Sequence, residues 1–416
     1  MPILDIAVLV TGDELLSGEV TDTNTATIAE ALSRYGYRLR FSLAVPDREK
    51  EITAALQYLI TQVKYVVVTG GLGSTGDDLT ARAASRALQQ PLVINEEALT
   101  MVRRWFSSRD RRMEPNNERQ ALLPQEAVPL PNRIGTAPGF QLRHHGCELF
   151  FLPGVPQEME AMFQQSVLPA LQQSLPEIAP LKQTSLTLFG LPEPRVEALI
   201  PYDRLAAGVE VAFTLAYPLV RVKLTASGEE AEGKLQQAEE LLEQCLGEHI
   251  VARNEETPEA NVAALLTRAG LTLSLAESCT GGLLASLLTS QPGASAYLER
   301  AGITYADSAK QSWLQVPPQI IEQHGAVSEP CARAMATGLR QVARTDLALA
   351  ITGIAGPDGG TPEKPVGTVF LALASPEGLH VQRYRFHGDR IRIQRMSAFM
   401  ALEWLRRYAL RRLESP

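Results

Sequence analysis

The sequence predicts an α/β protein in three parts: a front domain on a parallel sheet (residues 1–174), a small α+β domain (175–252) and a second α/β domain (253–416). Three observations predict it. Apolar runs alternate with helix-period segments through the front, the pattern of a parallel sheet covered by helices on both faces. From about Leu175 the texture turns strand-rich. The polar stretch ARNEETPEAN (Ala252 to Asn261) then reads as a linker into the last third.

The elements follow in order. ILDIAVLV is a strand leading into TGDELLSG. A helix is expected from about Thr23, with Ile28, Ala29, Leu32 and Tyr35 on one face and Gly36 as its stop. RLRFSLAV is a strand, Glu49 to Ile60 a helix, KYVVVTGG a strand and Leu79 to Leu88 a helix. TGDELLSG and TGGLGSTGDD thus lie at the carboxyl ends of strands, where such sheets bind ligands. SLTLFGLPEPRVEALI and VEVAFTLAYPLVRVKLTASG are strand-rich, and Glu229 to Cys245 is a helix. Pro258 to Ala269 opens the last domain as a helix.

Composition narrows the class. The chain has 416 residues, 45% hydrophobic and 21% charged, as in ordinary globular proteins. No apolar run approaches the roughly 20 residues that span a bilayer, so no membrane role is expected. Asp5, Asp13 and Glu14 leave no signal-peptide pattern, and a cytoplasmic location is expected. A net charge of −8 disfavours a broad nucleic-acid footprint. Cys147, Cys245, Cys279 and Cys331 are scattered without a C-x-x-C pair, which suggests a reducing compartment and no thiolate zinc site.

LTLSLAESCTGG (Leu271 to Gly282) carries the most chemistry. An alternating apolar run ends in Glu-Ser-Cys-Thr-Gly-Gly, and LLASLLTS continues with helical spacing. This is a strand, a tight turn and a helix start, with a hydroxyl and a thiol at the turn. Such a turn aims a nucleophile at a helix N-terminus, whose free N–H groups can stabilise an oxyanion or a phosphate. The residues alone leave Ser278 and Cys279 both open as that nucleophile. A thiol is intrinsically the better one near neutral pH. The alternative is an N-cap with two spacer glycines.

With AESCTGG, the stretches AGITYADSAK (Ala301 to Lys310), HGAVSEP (His324 to Pro330), ITGIAGPDGG (Ile351 to Gly360), KPVGTVFLAL and FHGDR (ending at Arg390) resemble the C-terminal nicotinamide-nucleotide amidase domain of the CinA family (competence/damage-inducible protein A). TGDELLSGEVTDTN (Thr11 to Asn24), GGLGSTGDD (Gly70 to Asp78), GTAPGF (Gly135 to Phe140) and FLPGVPQEM (Phe151 to Met159) resemble the family's molybdopterin-binding-like front domain.

The resemblance implies hydrolysis of the carboxamide of nicotinamide mononucleotide to nicotinate mononucleotide and ammonia. It favours Ser278 as nucleophile and Lys310 as base, with Tyr305 relaying a proton or orienting Ser278. Asp307 or Ser308 is expected to cap the helix that carries Lys310. Thr280, Gly281, Gly282, Thr352, Gly353, Ala355 and Gly356 are the candidate substrate contacts through backbone N–H groups, and Arg390 the candidate clamp. No metal-ligand spacing occurs among these motifs, so no cofactor is expected for the amidase.

For the front domain the resemblance implies ADP-ribose pyrophosphatase activity in some members. Gly12, Asp13, Glu14, Asn24, Gly70, Gly71, Gly73, Gly135, Pro153 and Gly154 are the nucleotide-site candidates. Asp77, Asp78 and Glu158 are the candidate ligands of a divalent metal ion. Binding without cleavage is the competing reading, and a competence-related accessory role is another. A homodimer is expected. One departure stands out. Family members often read G-x-x-E-S where this chain has Gly190-Leu191-Pro192-Glu193-Pro194, which lacks the hydroxyl.

Overall fold

The computed structural model describes residues 5–174 and 181–414, and the chain divides near Lys182 into two compact units. The boundary expected at 174/175, the first residues of the expected opening strand and Pro416 touch positions outside the described residues.

The first unit contains β1 (Ile6–Thr11), β2 (Phe41–Val45), β3 (Tyr65–Thr69), β4 (Leu92–Ile94), β5 (Leu122–Pro124), β6 (Val128–Leu130), β7 (Gly139–His144) and β8 (Cys147–Leu152). Its main sheet runs β2-β1-β3-β8-β7-β6, and β4 pairs with β5 apart from it. The first four strands are parallel, as the alternating pattern predicts. The sheet as a whole is mixed, because β7 and β6 run antiparallel. The reversal is made by His145 and Gly146, with φ of 47° and 84°, a two-residue hairpin geometry. β1 is buried along its whole length. Ile6, Val8 and Val10 face a core with Ile28 and Leu32 of helix Asn24–Ser33, while Ala7 and Leu9 face Ile52, Leu56, Ala83 and Ala84 of the helices on the other side. Tyr35 does not share the first helix's apolar face. It lies beyond the helix end at Ser33 and is exposed. TGDELLSG is not a simple turn, since Asp13–Ser17 forms a short helix.

The second unit opens with β9 (Leu181–Phe189), β10 (Glu210–Ala216), β11 (Leu219–Ser227) and β12 (Ile250–Arg253), in the order β10-β11-β9-β12. Helices Glu193–Leu199 and Ala231–Leu246 cover it through Val196, Leu235 and Leu242. There follow β13 (Leu273–Glu277), β14 (Leu298–Ile303), β15 (Leu347–Gly353), β16 (Thr368–Ser375) and β17 (Gly378–Arg385), in the order β14-β13-β15-β16-β17. The first three are parallel and the last two antiparallel. Helix Pro258–Arg268 starts as the linker predicts. Thr257 is its N-cap and its Oγ1 accepts from the Ala260 amide at 3.3 Å.

The two sheets of this unit share a core. Phe189 of β9 and Val251 of β12 are buried with Leu266, Phe399 and Leu402. The Phe189 and Phe399 rings lie 6.3 Å apart. Arg406, on helix Arg390–Glu414, donates to the Glu248 carbonyl at 2.9 Å. A fragment cut at Glu255 therefore loses apolar cover that the linker pattern does not reveal. We expect residues 255–416 to fold, and residues 183–416 to melt higher by at least about 4 °C, given that 1 kcal/mol shifts the midpoint of such a segment by about 2–4 °C. Paired thermal melts followed by circular dichroism check this, and equal midpoints would contradict it.

Candidate functional site

The parallel register of β14-β13-β15 sets the chemistry of the second unit. Glu277 is paired with Ile303 on one side and Ile351 on the other. The residues after β13 and β14, Ser278 and Thr304–Tyr305, therefore leave the sheet side by side at its carboxyl edge, while β15 runs on through Thr352 to Gly353, paired with β16. The Ser278 amide donates to the Ile351 carbonyl at 3.0 Å, and the Thr304 amide to the Glu277 carbonyl at 2.8 Å.

The turn after β13 separates its two sulfur and oxygen candidates. Cys279 points inward. It is 4% exposed, belongs to the apolar core beneath the sheet, and its Sγ would lie 3.0 Å from a Cβ placed on Gly353. Burial, with Glu277 adding to it, pushes its thiol up to about 12. Such a thiol is protonated and inaccessible at neutral pH. Gln394 fixes the turn from the outside, its Nε2 donating to the Cys279 carbonyl at 2.8 Å.

Glu277 is the residue that sequence reasoning missed. Its side chain is 1% exposed and accepts three backbone amides: Gly282 at 3.1 Å and Leu284 at 3.2 Å on Oε2, Ala285 at 2.7 Å on Oε1. Each charge-assisted bond of this kind contributes about 1.5–3 kcal/mol. The helix that starts here, Leu283–Thr289, is thus capped by its own chain. This corrects the expectation that Gly282 offers its N–H to a phosphate. The Gly281 amide donates to the Ser278 carbonyl, and the Thr280 hydroxyl is buried without a partner.

Lys310 is 1% exposed. Its Nζ donates to the carbonyls of Thr304 at 3.0 Å and Tyr305 at 2.9 Å, and Asp307 Oδ1 lies 3.8 Å away. Neither Asp307 nor Ser308 caps the helix. Asp307 is its first residue, and Ala306 stands at the N-cap without a side-chain bond. Tyr305 is 58% exposed, and its hydroxyl accepts from Arg390 Nη2 at 3.1 Å. Arg390 Nη1 donates to the Gly356 carbonyl at 2.8 Å, so one guanidinium ties the loop after β15 to the loop after β14. Gly356 takes φ 82° as that loop leaves the sheet.

Other expected contacts have structural duties. Thr352 donates its hydroxyl to the Ala326 carbonyl at 2.9 Å, joining β15 to the HGAVSEP loop. Gly353 lies against Val369 and Thr368 so closely that no side chain fits, and Ala355 is buried in the core. Lys364, not singled out from the sequence, donates to the His324 carbonyl at 2.7 Å.

In the first unit a cleft of about 290 Å³ opens at the carboxyl ends of β1 and β3. Glu14, Asn24, Gly70, Gly71 and Gly154 of the nucleotide-site candidates line it, together with Asp77, Asp78, Thr11, Asp22 and Asp47. Gly70 and Gly71 turn there with φ of 108° and 64°, and a side chain on Gly70 would strike Thr11 at 2.6 Å. Asn24 is 6% exposed. Its Nδ2 donates to the Gly154 carbonyl at 2.9 Å and its Oδ1 has no partner. Asp47 accepts from the Asp13 amide at 3.3 Å. Burial raises its pKa above the usual carboxylate range, the Asp13 amide opposes, and Glu14 adds to the rise. Gly12 lies at the start of the Asp13 helix, and Pro153 immediately precedes Gly154.

The expected metal ligands do not come together. Asp78 accepts the Gly73 amide at 2.7 Å and the Thr75 amide at 2.8 Å, so it staples its own loop, and the Gly73 amide is engaged there. Asp77 bonds the Thr75 hydroxyl, which holds its carboxyl below the usual range. Glu158 accepts from Asn132 Nδ2 at 2.7 Å and packs directly on Gly135; neither lines the cleft. Among the described residues no three His, Cys, Asp or Glu side chains gather as a metal ion would require. The three residues do not fit one metal site.

Fold and sites together define a class of protein, with a molybdopterin-binding-like α/β domain in front and a CinA-type α/β domain behind. Residues 7–173 match the family model described as a probable molybdopterin binding domain, and residues 255–409 the CinA C-terminal domain. The chain belongs to the CinA-like protein family. It is 55% identical over 405 residues to a CinA-like protein of Syntrophotalea carbinolica, covering 97% of this chain and 98% of that one. It is 48% identical over 409 residues to one of Geobacter metallireducens, covering 97% and 99%. Among solved structures, a competence-damaged protein (CinA) superfamily protein from Klebsiella pneumoniae is 37% identical, covers 37% of this chain and 96% of that one, and has a TM-score of 0.36. No described helix is long and apolar enough to cross a membrane.

The buried position of Cys279 makes a direct prediction. Iodoacetamide at pH 8 should leave Cys279 unlabelled in the folded protein, as peptide mass mapping would show. Labelling of Cys279 as fast as in urea would place the thiol at the surface.

Proposed function

We propose that the second unit is a cytoplasmic nicotinamide-nucleotide amidase, which hydrolyses the carboxamide of nicotinamide mononucleotide to nicotinate mononucleotide and ammonia. The observation that carries this reading is the convergence of Ser278, Lys310 and the Tyr305–Arg390 pair at one sheet edge. Ser278 Oγ attacks the carboxamide carbon and gives up its proton. Lys310, whose Nζ is held by the Thr304 and Tyr305 carbonyls at the same sheet edge, takes that proton and returns it to the leaving nitrogen. The C–N bond breaks, ammonia departs, and water then cleaves the acyl-serine to the carboxylate. The Thr280 amide is the donor left at the turn for the oxyanion. Arg390 uses one N–H on Gly356 and one on Tyr305, and a guanidinium has five, so it keeps donors for the substrate phosphate.

For the first unit we propose nucleotide binding in the cleft beside Asn24, with ADP-ribose as ligand. The partnerless Asn24 Oδ1 and the glycine turn at Gly70–Gly71 support this. Divalent-metal-dependent ADP-ribose pyrophosphatase activity there is the second reading. Asp77, Asp78 and Glu158 do not fit a shared metal, so no step is assigned to one. A homodimer is proposed as the working assembly, to be measured by light scattering.

Three expected outcomes test these proposals. Ser278→Ala abolishes ammonia release, while Cys279→Ala retains most of it; the opposite pattern would reverse the assignment. Lys310→Arg is nearly as damaging as Lys310→Ala, because arginine keeps the charge but does not deprotonate in the working range. Near wild-type turnover in Lys310→Arg would make Lys310 an electrostatic group. Chelation by EDTA leaves ammonia release unchanged and silences any cleavage of ADP-ribose. An amidase that stops on chelation would overturn the metal-free reading.

A further inference from the structure

We propose that Glu277 is a positioning residue for the hydrolysis at Ser278. Its buried carboxylate, and no group of the substrate, is the anion at the N-terminus of helix Leu283–Thr289, and it fixes the turn that presents the serine. The inference rests on the amidase reading and deepens it.

A carboxylate at 1% exposure has left water and needs compensating partners. Among the described residues Glu277 forms no ion pair. Its partners are the amides of Gly282, Leu284 and Ala285. The chain can only wrap the carboxylate this way because Gly281 and Gly282 take φ of 64° and 96°. A side chain on Gly282 would also approach Ile303 to 3.0 Å. The double glycine therefore serves the enzyme's own carboxylate, not a phosphate.

The same residue also reaches the base. The Glu277 carbonyl accepts the Thr304 amide, and Lys310 Nζ donates to the Thr304 carbonyl. Glu277 thus holds the serine turn through its side chain and the exit of β14 through its backbone. A fixed negative charge at the turn also sets the direction of binding. It disfavours the substrate phosphate there, which leaves Arg390, bonded to the Tyr305 hydroxyl, as the anion's partner. The neutral carboxamide then faces Ser278.

The test uses the full chain with nicotinamide mononucleotide as probe. Glu277→Gln keeps the shape but turns an NH₂ group toward amide donors. Its kcat should fall about 100-fold with KM within about threefold, the signature of a misplaced reacting group. Circular dichroism and the thermal midpoint report the folded fraction, to which kcat is normalised. Ala285→Pro is the second variant. It deletes one of the three donors and keeps the charge, at the third residue of the helix, and its folded fraction is read in the same way. It should lose about tenfold in kcat, again with KM held within about threefold. Folded variants with kcat near wild type would overturn the proposal, and Ala285→Pro decides it alone if Glu277→Gln does not fold. A large rise in KM with kcat retained would instead put the substrate anion at the helix end, and would also overturn it. Wild-type protein that releases no ammonia takes down the amidase reading itself. An active wild type with unaffected variants takes down only the role of Glu277.

Discussion

The register between β13 and its two parallel neighbours is the constraint on which the second unit depends. Because Glu277 is level with both Ile303 and Ile351, the loops after β13 and β14 begin at the same height, and β15 ends at Gly353 just beyond them. A slip of one residue would turn every side chain to the opposite face. Ser274, in the middle of β13, secures the register from within the core. Its hydroxyl is within 2.8 Å of the Thr345 hydroxyl and donates to the Leu347 carbonyl at 3.3 Å. At the opposite end of the strands Asp346 accepts from the Thr272 hydroxyl and amide, and those bonds hold its carboxyl below the usual range. Polar groups at one end of the sheet thus fix what the other end displays.

The turn after β13 divides its labour by direction. Glu277 reaches toward the helix it caps, Cys279 goes into the core, and Ser278 lies between them at the sheet edge. Adjacent positions on a tight turn cannot all face one way, so Glu277 and Cys279 anchor it while Ser278, 8% exposed, stands between them. The first unit uses the same logic. There Asp78 anchors the Gly73–Thr75 loop, and the cleft is left to Asn24, Asp47 and the turn at Gly70–Gly71.

Much of this was legible in the sequence, and the failures share one cause. Hydrophobic period located the parallel strands and the helices, the one opening at Pro258 among them, since those signals are local. The antiparallel β7 and β6 were not legible because the His145–Gly146 hairpin is only two residues long. Carboxylates misled in both directions. Asp77, Asp78 and Glu158 looked like metal ligands because sequence shows their charge but not where they point. Asp78 points back at its own loop, and Glu158 at Asn132. Glu277 was passed over inside a motif that was otherwise well read, for the same reason. Asp47 belongs to no glycine-rich motif and reaches the cleft only through the pairing of β1 with β2.

The buried thiol has a consequence for how the protein meets its surroundings. A cysteine nucleophile couples catalysis to the redox state of the cell, since the thiolate that attacks substrate also reacts with peroxides and disulfides. Here the sulfur next to Ser278 is sealed beneath the sheet and held in its protonated form. The neighbouring Ser278 is itself 8% exposed, and its oxygen is one that mild oxidants do not touch. The turn is thereby insulated from oxidation, and the sulfur acts as packing against Gly353 in place of a sensor.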